Sequence, residues 1–143
     1  MRLVDVNILI YAYRAESNRH DGYRRWIEDL LEGDAAYGMS DVALAGFLRL
    51  VTNHRAFRPP SPLEDAISFA DQIWRHPNCI HVHPGERHWG IFTGLCRTTG
   101  AKGKLIPDAW FAALAIESGS EWVTTDRDFA RFPGLRWRHP LDG

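Results

Sequence analysis

Short apolar runs alternate with longer stretches of helical periodicity along the whole chain, and this alternation restricts the fold more than any single residue does. Leu3, Val4 and Val6, followed by Ile8, Leu9 and Ile10, read as a buried strand running into a helix. From about Arg19 to Leu31, Tyr23, Trp26, Ile27, Leu30 and Leu31 recur at helical spacing, with Gly33 as the stop. Tyr37 to Met39 reads as a second strand. Ser40 then has the place of an N-cap for a helix through Val42, Leu44, Phe47, Leu48 and Val51. After Pro59 and Pro60, Ser61-Pro62-Leu63-Glu64 reads as a capping box with proline at the first helical position, opening a helix towards Arg75. Cys79 to Val82 is a third strand and Glu86 to Thr98 a helix. Pro107 opens the nearly all-apolar helix DAWFAALAIES, closed by Gly119. Trp122 to Thr124 is a strand, Asp126 to Phe132 a short helix and Leu135 to Arg138 a last strand. Strands separated by helices cannot pair as hairpins, so they imply a parallel sheet covered on both faces. The expected class is α/β, an α/β/α sandwich around a central parallel sheet of about five strands. No repeat or linker interrupts residues 1–143, which reads as one domain.

Composition sets the outer limits. Hydrophobic residues make up 45% and aromatics 12%, enough for a core and against intrinsic disorder. The apolar stretch LVDVNILIYAY falls well short of the roughly 20 residues that span a bilayer, and it carries Asp5 and Asn7. With no basic leader before it, the expectation is a cytoplasmic protein without membrane attachment. Cys79 and Cys96 are the only cysteines and read as reduced. Seventeen basic and 18 acidic side chains leave a net charge of −1, which excludes a strongly basic nucleic-acid coat but not a local patch.

Three acids stand where such a fold binds ligands, beyond the carboxyl ends of its strands. Asp5 follows the first strand, Asp126 follows the strand ending in Thr124-Thr125, and Asp108 lies in the first turn of the alanine-rich helix. Asp126 and Asp108 each fit a capping role as well as a catalytic one. Asp5 is harder to place as structural, because a carboxylate within an apolar run is costly to bury unpaired. Neighbouring carboxylates repel, and a hard divalent cation relieves them. Mg²⁺ or Mn²⁺ suits that donor set better than zinc.

The opening VDVNILIYA, the central VALAGFLRLVTN and the block IPDAWFAALAIESGSEWVTTDRDFARFPGLRW resemble PIN-domain ribonucleases of the VapC toxin type, in the right order from Arg2 to Leu141. The resemblance implies a small α/β/α domain acting as the toxin of a type II toxin–antitoxin pair. It implies Mg²⁺-dependent endonucleolytic cleavage of RNA, neutralisation by a VapB-type antitoxin, and homodimerisation. By position, Asp5, Asp108 and Asp126 match the family's catalytic, metal-holding acids. Asn7 matches a polar residue that orients the first acid, and Thr124 or Thr125 matches a supporting hydroxyl. Asp128 matches either an acid that holds the ion through water or a surface cap. One departure stands out: the family's usual glutamate on the third helix aligns with Gly46. Asp41, five residues earlier, would face elsewhere and reads as a cap, unless a different helix entry lets it supply the absent acid. A complete four-acid site is therefore in doubt, and one tightly held ion is expected.

Candidates for RNA phosphate contacts are Arg14, Arg19, Arg24, Arg25, Arg49, Arg55, Arg58, Lys102 and Lys104. The sequence does not say which of them touch RNA. Cys79, His81 and His83 share a strand face, yet their spacing lacks the paired ligands of a structural zinc site. The six tryptophans read as core or dimer packing. Residues 100–104 lack the order of a P-loop. Two rival functions remain. A haloacid-dehalogenase-like phosphatase would want an acid two residues after Asp5, where Asn7 stands. The other is a degenerate PIN domain that binds RNA or a partner without cutting, motivated by Gly46.

Overall fold

The structure is a computed structural model that describes residues 1–142. Strands β1 (Arg2–Val4), β2 (Tyr37–Met39), β3 (Cys79–His81), β4 (Glu121–Val123) and β5 (Trp137–Arg138) form one sheet in the order β3-β2-β1-β4-β5. Every pairing is parallel, so each crossover carries helix. The helices are α1 (Val6–Tyr13), α2 (His20–Glu32), α3 (Asp41–Val51), α4 (Leu63–Trp74), α5 (His88–Thr99) and α6 (Leu105–Glu117). A 3-10 turn follows at Arg127–Arg131. Strand order reverses between β1 and β4, where Val4 lies beside Val123. At such a reversal the crossovers leave in opposite directions and open a crevice at the carboxyl edge.

Two cores lie on the two faces of the sheet. One joins Ile8, Leu9, Phe47 and Ile73 from α1, α3 and α4. The other joins Ala112, Leu114, Trp122 and Phe129. The alanines of α6 let it lie close to β4, where Trp122 is wholly buried and stacked on Phe111 with ring centroids 5.4 Å apart. Large aromatics give such contacts their energy. Not every tryptophan follows: Trp89 on α5 is 70% exposed.

Local signals decide several boundaries. Ser40 caps α3, its hydroxyl accepting from the Val42 N–H at 3.1 Å. Ser40→Ala is expected to cost about 1 kcal/mol, read as a lowered midpoint in thermal unfolding. Gly119 follows α6 with φ 66°, the left-handed turn that glycine adopts most easily after a helix. The capping box at Ser61 does not form. Pro62 is the N-cap of α4, and the Ser61 hydroxyl accepts instead from Arg14 Nη1 at 2.9 Å. α6 begins at Leu105, two residues before Pro107, which sits in the first turn, where a missing N–H is harmless.

Candidate active site

Asp5 ends β1 and caps α1. Its Oδ1 accepts from the Val6 N–H at 2.7 Å, and its Oδ2 accepts from Thr124 Oγ1 at 2.7 Å. Its own N–H donates to Val123 O at 2.9 Å, which fixes the backbone across the β1–β4 reversal. Thr124 is fully buried and also accepts the Asp126 N–H at 3.0 Å. One hydroxyl thus ties the two strand-end acids together. Asp126 Oδ1 accepts the Asp128 N–H at 2.9 Å and so starts the 3-10 turn, which leaves Oδ2 to face other partners.

Asp108 arrives from the first turn of α6. Lys104, one helical turn earlier, places its Nζ 2.8 Å from Asp126 Oδ2 and 3.6 Å from Asp108 Oδ2. The lysine therefore bridges two of the three acids. Among the described residues, no group of three or more His, Cys, Asp or Glu side chains stands ready-made to hold a metal ion. The acids nevertheless feel one another. Burial pushes the Asp5 carboxyl up to about 6, against the hydrogen bonds from Thr124 and Val6, with Asp108 and Asp126 adding to the rise. Burial also raises Asp108, with Lys104 pulling the other way and Asp126 reinforcing the rise. For Asp126, burial is outweighed by the Lys104 ammonium and the Asp128 N–H, so its carboxyl falls below the usual range. In kind, these donors fit a hard divalent cation: carboxylates from three elements, mutually repelling, one buried with no cation of its own.

Of the supporting residues that the resemblance named, Thr124 bonds Asp5 directly, and the others lie elsewhere. Asn7 lies partly buried in the first turn of α1 and makes no hydrogen bond to Asp5 among the described residues. Thr124 and the Val6 N–H orient Asp5 instead. Thr125 is partly buried beside a separate cavity. The Asp128 carboxylate is exposed, and only its backbone N–H reaches the acids. Gly46 faces α1: a Cβ there would lie 3.9 Å from Val6 Cγ2, with room around it. Asp41 does not fill that gap; it is exposed, 4.0 Å from His83 Nδ1. Sequence reasoning missed Lys104 as the partner of the acids, although its position four residues before Asp108 is the spacing of a helical ion pair.

Of the proposed phosphate contacts, Arg14 is committed internally to Glu16, Ser61 and the Pro59 carbonyl. Arg24 pairs with Glu28. On the Cys79–His81–His83 face, His81 lies flat on Trp74 at 3.5 Å, with its Nε2 2.9 Å from the Trp74 carbonyl. His88 is buried, its Nε2 2.9 Å from the Trp110 carbonyl.

Comparison with known proteins adds a sequence family to this geometry. The model of the PIN domain matches residues 2–135. The chain is 46% identical over 143 residues to ribonuclease VapC43 of Mycobacterium tuberculosis, covering 100% of this chain and 97% of that protein. It is 40% identical over 140 residues to ribonuclease VapC25 of the same organism, covering 98% and 99%. The crystal structure of VapBC2 from Rickettsia felis, bound to a DNA fragment from their promoter, superposes with a TM-score of 0.67 at 22% identity, covering 96% of both chains. At that identity the likeness speaks to the fold.

Proposed function

The chain belongs to the VapC ribonucleases of the PIN domain family, and from that membership we propose that it is a toxin endoribonuclease that hydrolyses RNA phosphodiester bonds with a divalent cation, Mg²⁺ or Mn²⁺. Asp5, Asp108 and Asp126 would hold the ion, and a VapB-type antitoxin would neutralise the toxin. A homodimer is the expected assembly. The observation that carries the reading is that Thr124 joins Asp5 to the Asp126 backbone while Lys104 bridges Asp126 and Asp108, at the β1–β4 reversal.

A bound divalent ion would supply positive charge against the phosphate oxygens and a more acidic water. The remaining work falls to the chain. Thr124 keeps Asp5 and Asp126 in register through its two hydrogen bonds. Asp126, with its lowered carboxyl, stays ionised at neutral pH and presents Oδ2. Lys104 is the counter-charge of Asp108 and Asp126 with which a divalent cation would compete, and its 72% exposed side chain would then be free for a backbone phosphate.

Lys104→Ala is therefore expected to tighten Mg²⁺ binding about three- to tenfold at low salt, because two ion pairs made by an exposed lysine are together worth about 1 kcal/mol. The gain should shrink as salt screens it. Calorimetric titration in dilute and concentrated salt checks both parts.

The function itself is tested with purified protein, free of antitoxin, on total cellular RNA and Mg²⁺. Discrete fragments that vanish with EDTA are expected. RNA binding without cleavage would favour the non-cutting reading, and phosphate release from a small ester would favour a phosphatase.

A further inference from the structure

Thr125, the residue before Asp126, is one of the residues lining a cavity of about 340 Å³, with Tyr11, Asn18, Arg19, Tyr23 and His139. We propose that this cavity is a nucleobase subsite, taking one unstacked base of the RNA strand next to the cleaved phosphate, with Arg19 on the backbone at its mouth. The inference rests on the nuclease reading above and adds to it the place where sequence is read.

Three rings form the wall. Tyr11 and Tyr23 have centroids 5.1 Å apart, and the His139 ring lies 6.3 Å from Tyr23. Proteins that recognise single-stranded RNA splay bases out, stack them on such rings and read their edges by hydrogen bonds. The edge-reading groups are present and uncommitted. Tyr23 is only 5% exposed, yet neither its hydroxyl nor that of Tyr11 has a hydrogen-bond partner among the described residues. His139 Nδ1 accepts the Leu141 N–H at 3.2 Å, so a neutral ring carries its proton on Nε2, which also lacks a partner there. Burial, helped by Arg127 and Arg19, holds that ring below its ordinary value despite Asp142, in keeping with the neutral form. None of these three tips is itself a buried atom, so each is open to a ligand that enters the cavity. The Asn18 amide adds a donor and an acceptor at the rim.

Two further observations fix place and polarity. Arg19 has φ 59°, the one non-glycine residue with a left-handed backbone among those described, and such strain gathers at binding sites. No carboxylate is among the residues that line the cavity, and the nearby Asp142 carboxylate lies 3.8 Å from His139 Nδ1. In sequence, Thr125 lies between Thr124, which holds Asp5, and Asp126, so the cavity shares a residue with the loop that carries the acids.

The test maps cut sites on a randomised RNA pool for the wild type and for Tyr11→Phe, Asn18→Ala and Arg19→Gly. The last relieves the left-handed backbone while deleting the charge, so it is not expected to unfold. Circular dichroism checks each fold. The expected result is a base preference at one position flanking the cut that broadens at least fivefold in Tyr11→Phe or Asn18→Ala. Arg19→Gly, placed in a non-cleaving Asp108→Asn background, should bind a labelled ten-nucleotide RNA about tenfold more weakly by fluorescence anisotropy. Folded variants with an unaltered cut-site preference would overturn the subsite. So would an unaltered preference combined with lost affinity for the antitoxin, which would give the cavity to a protein partner. A wild type that neither cuts nor binds RNA is a different failure: it removes the nuclease reading, and the subsite goes with it.

Discussion

Asp108→Asn is expected to lower RNA cleavage more than about 100-fold while leaving the fold intact. Losing a residue that merely supports a metal ligand costs about 10–100-fold, so losing a ligand should exceed that range. The substitution keeps shape and volume and removes one negative charge. The protein should tolerate it, since burial already disfavours that charge in the folded state. Two companions calibrate the result. Thr124→Val removes the hydroxyl shared by Asp5 and the Asp126 N–H and should fall within the supporting range. Asp128→Asn alters an exposed carboxylate while keeping the N–H that Asp126 accepts, and should change cleavage less than about threefold. Single-turnover cleavage of one labelled RNA with saturating Mg²⁺ ranks the three. A flat series, or Asp128 ranking with Asp108, would remove the three-acid site.

What the sequence could reveal about this site depended on the range of the interaction. Ser40 was legible as a cap because its partner, the Val42 N–H, lies two residues on. Asp5 stood out because an acid in an apolar run demands an explanation, and the fold supplies one at the strand reversal. The alternation of strand and helix was enough to imply a parallel sheet covered on both faces. Its order, β3-β2-β1-β4-β5, depends on crossovers that periodicity does not encode. Ser61 misled because its hydroxyl is taken by Arg14, 47 residues away. The roles of Asn7 and of Thr124 or Thr125 came only from the family resemblance, and the hydrogen bond that Thr124 makes to Asp5 spans 119 residues, beyond the reach of any local pattern. Lys104 looked like one more basic side chain in a glycine loop. Only folding brings Asp126 within reach of its ammonium group. Gly46 could be recognised as a missing acid, but its open space beside Val6 appears only when α3 packs on α1.

The Asp5 carboxylate should make the metal-free protein less stable at neutral pH than a variant without the charge. Its value in the folded protein, about 6, lies above the ordinary 3.8 because burial penalises the ionised form. The folded state thus holds this proton more tightly than the unfolded chain. The resulting stabilisation is complete below about pH 4 and is lost as pH rises through 6. At 1.36 kcal/mol for each pH unit, the ionised group forgoes about 3 kcal/mol by pH 7.5. Asp5→Asn keeps an oxygen to accept from Val6 or Thr124 and cannot ionise. In EDTA it should therefore unfold about 1–3 kcal/mol later than the wild type at pH 7.5, several degrees in midpoint. The gap should close by pH 4, where both side chains are neutral. Mg²⁺ should also narrow it at pH 7.5, by stabilising the wild type and not the variant. Thermal unfolding at the two pH values, with and without the ion, measures all four quantities. A variant less stable than wild type at pH 7.5 in EDTA would mean that Asp5 is already neutralised within the chain. Cleavage should move the opposite way, lost in the variant that gains stability. A charge that weakens the fold and is needed for the reaction is retained for function, since stability alone would favour its replacement.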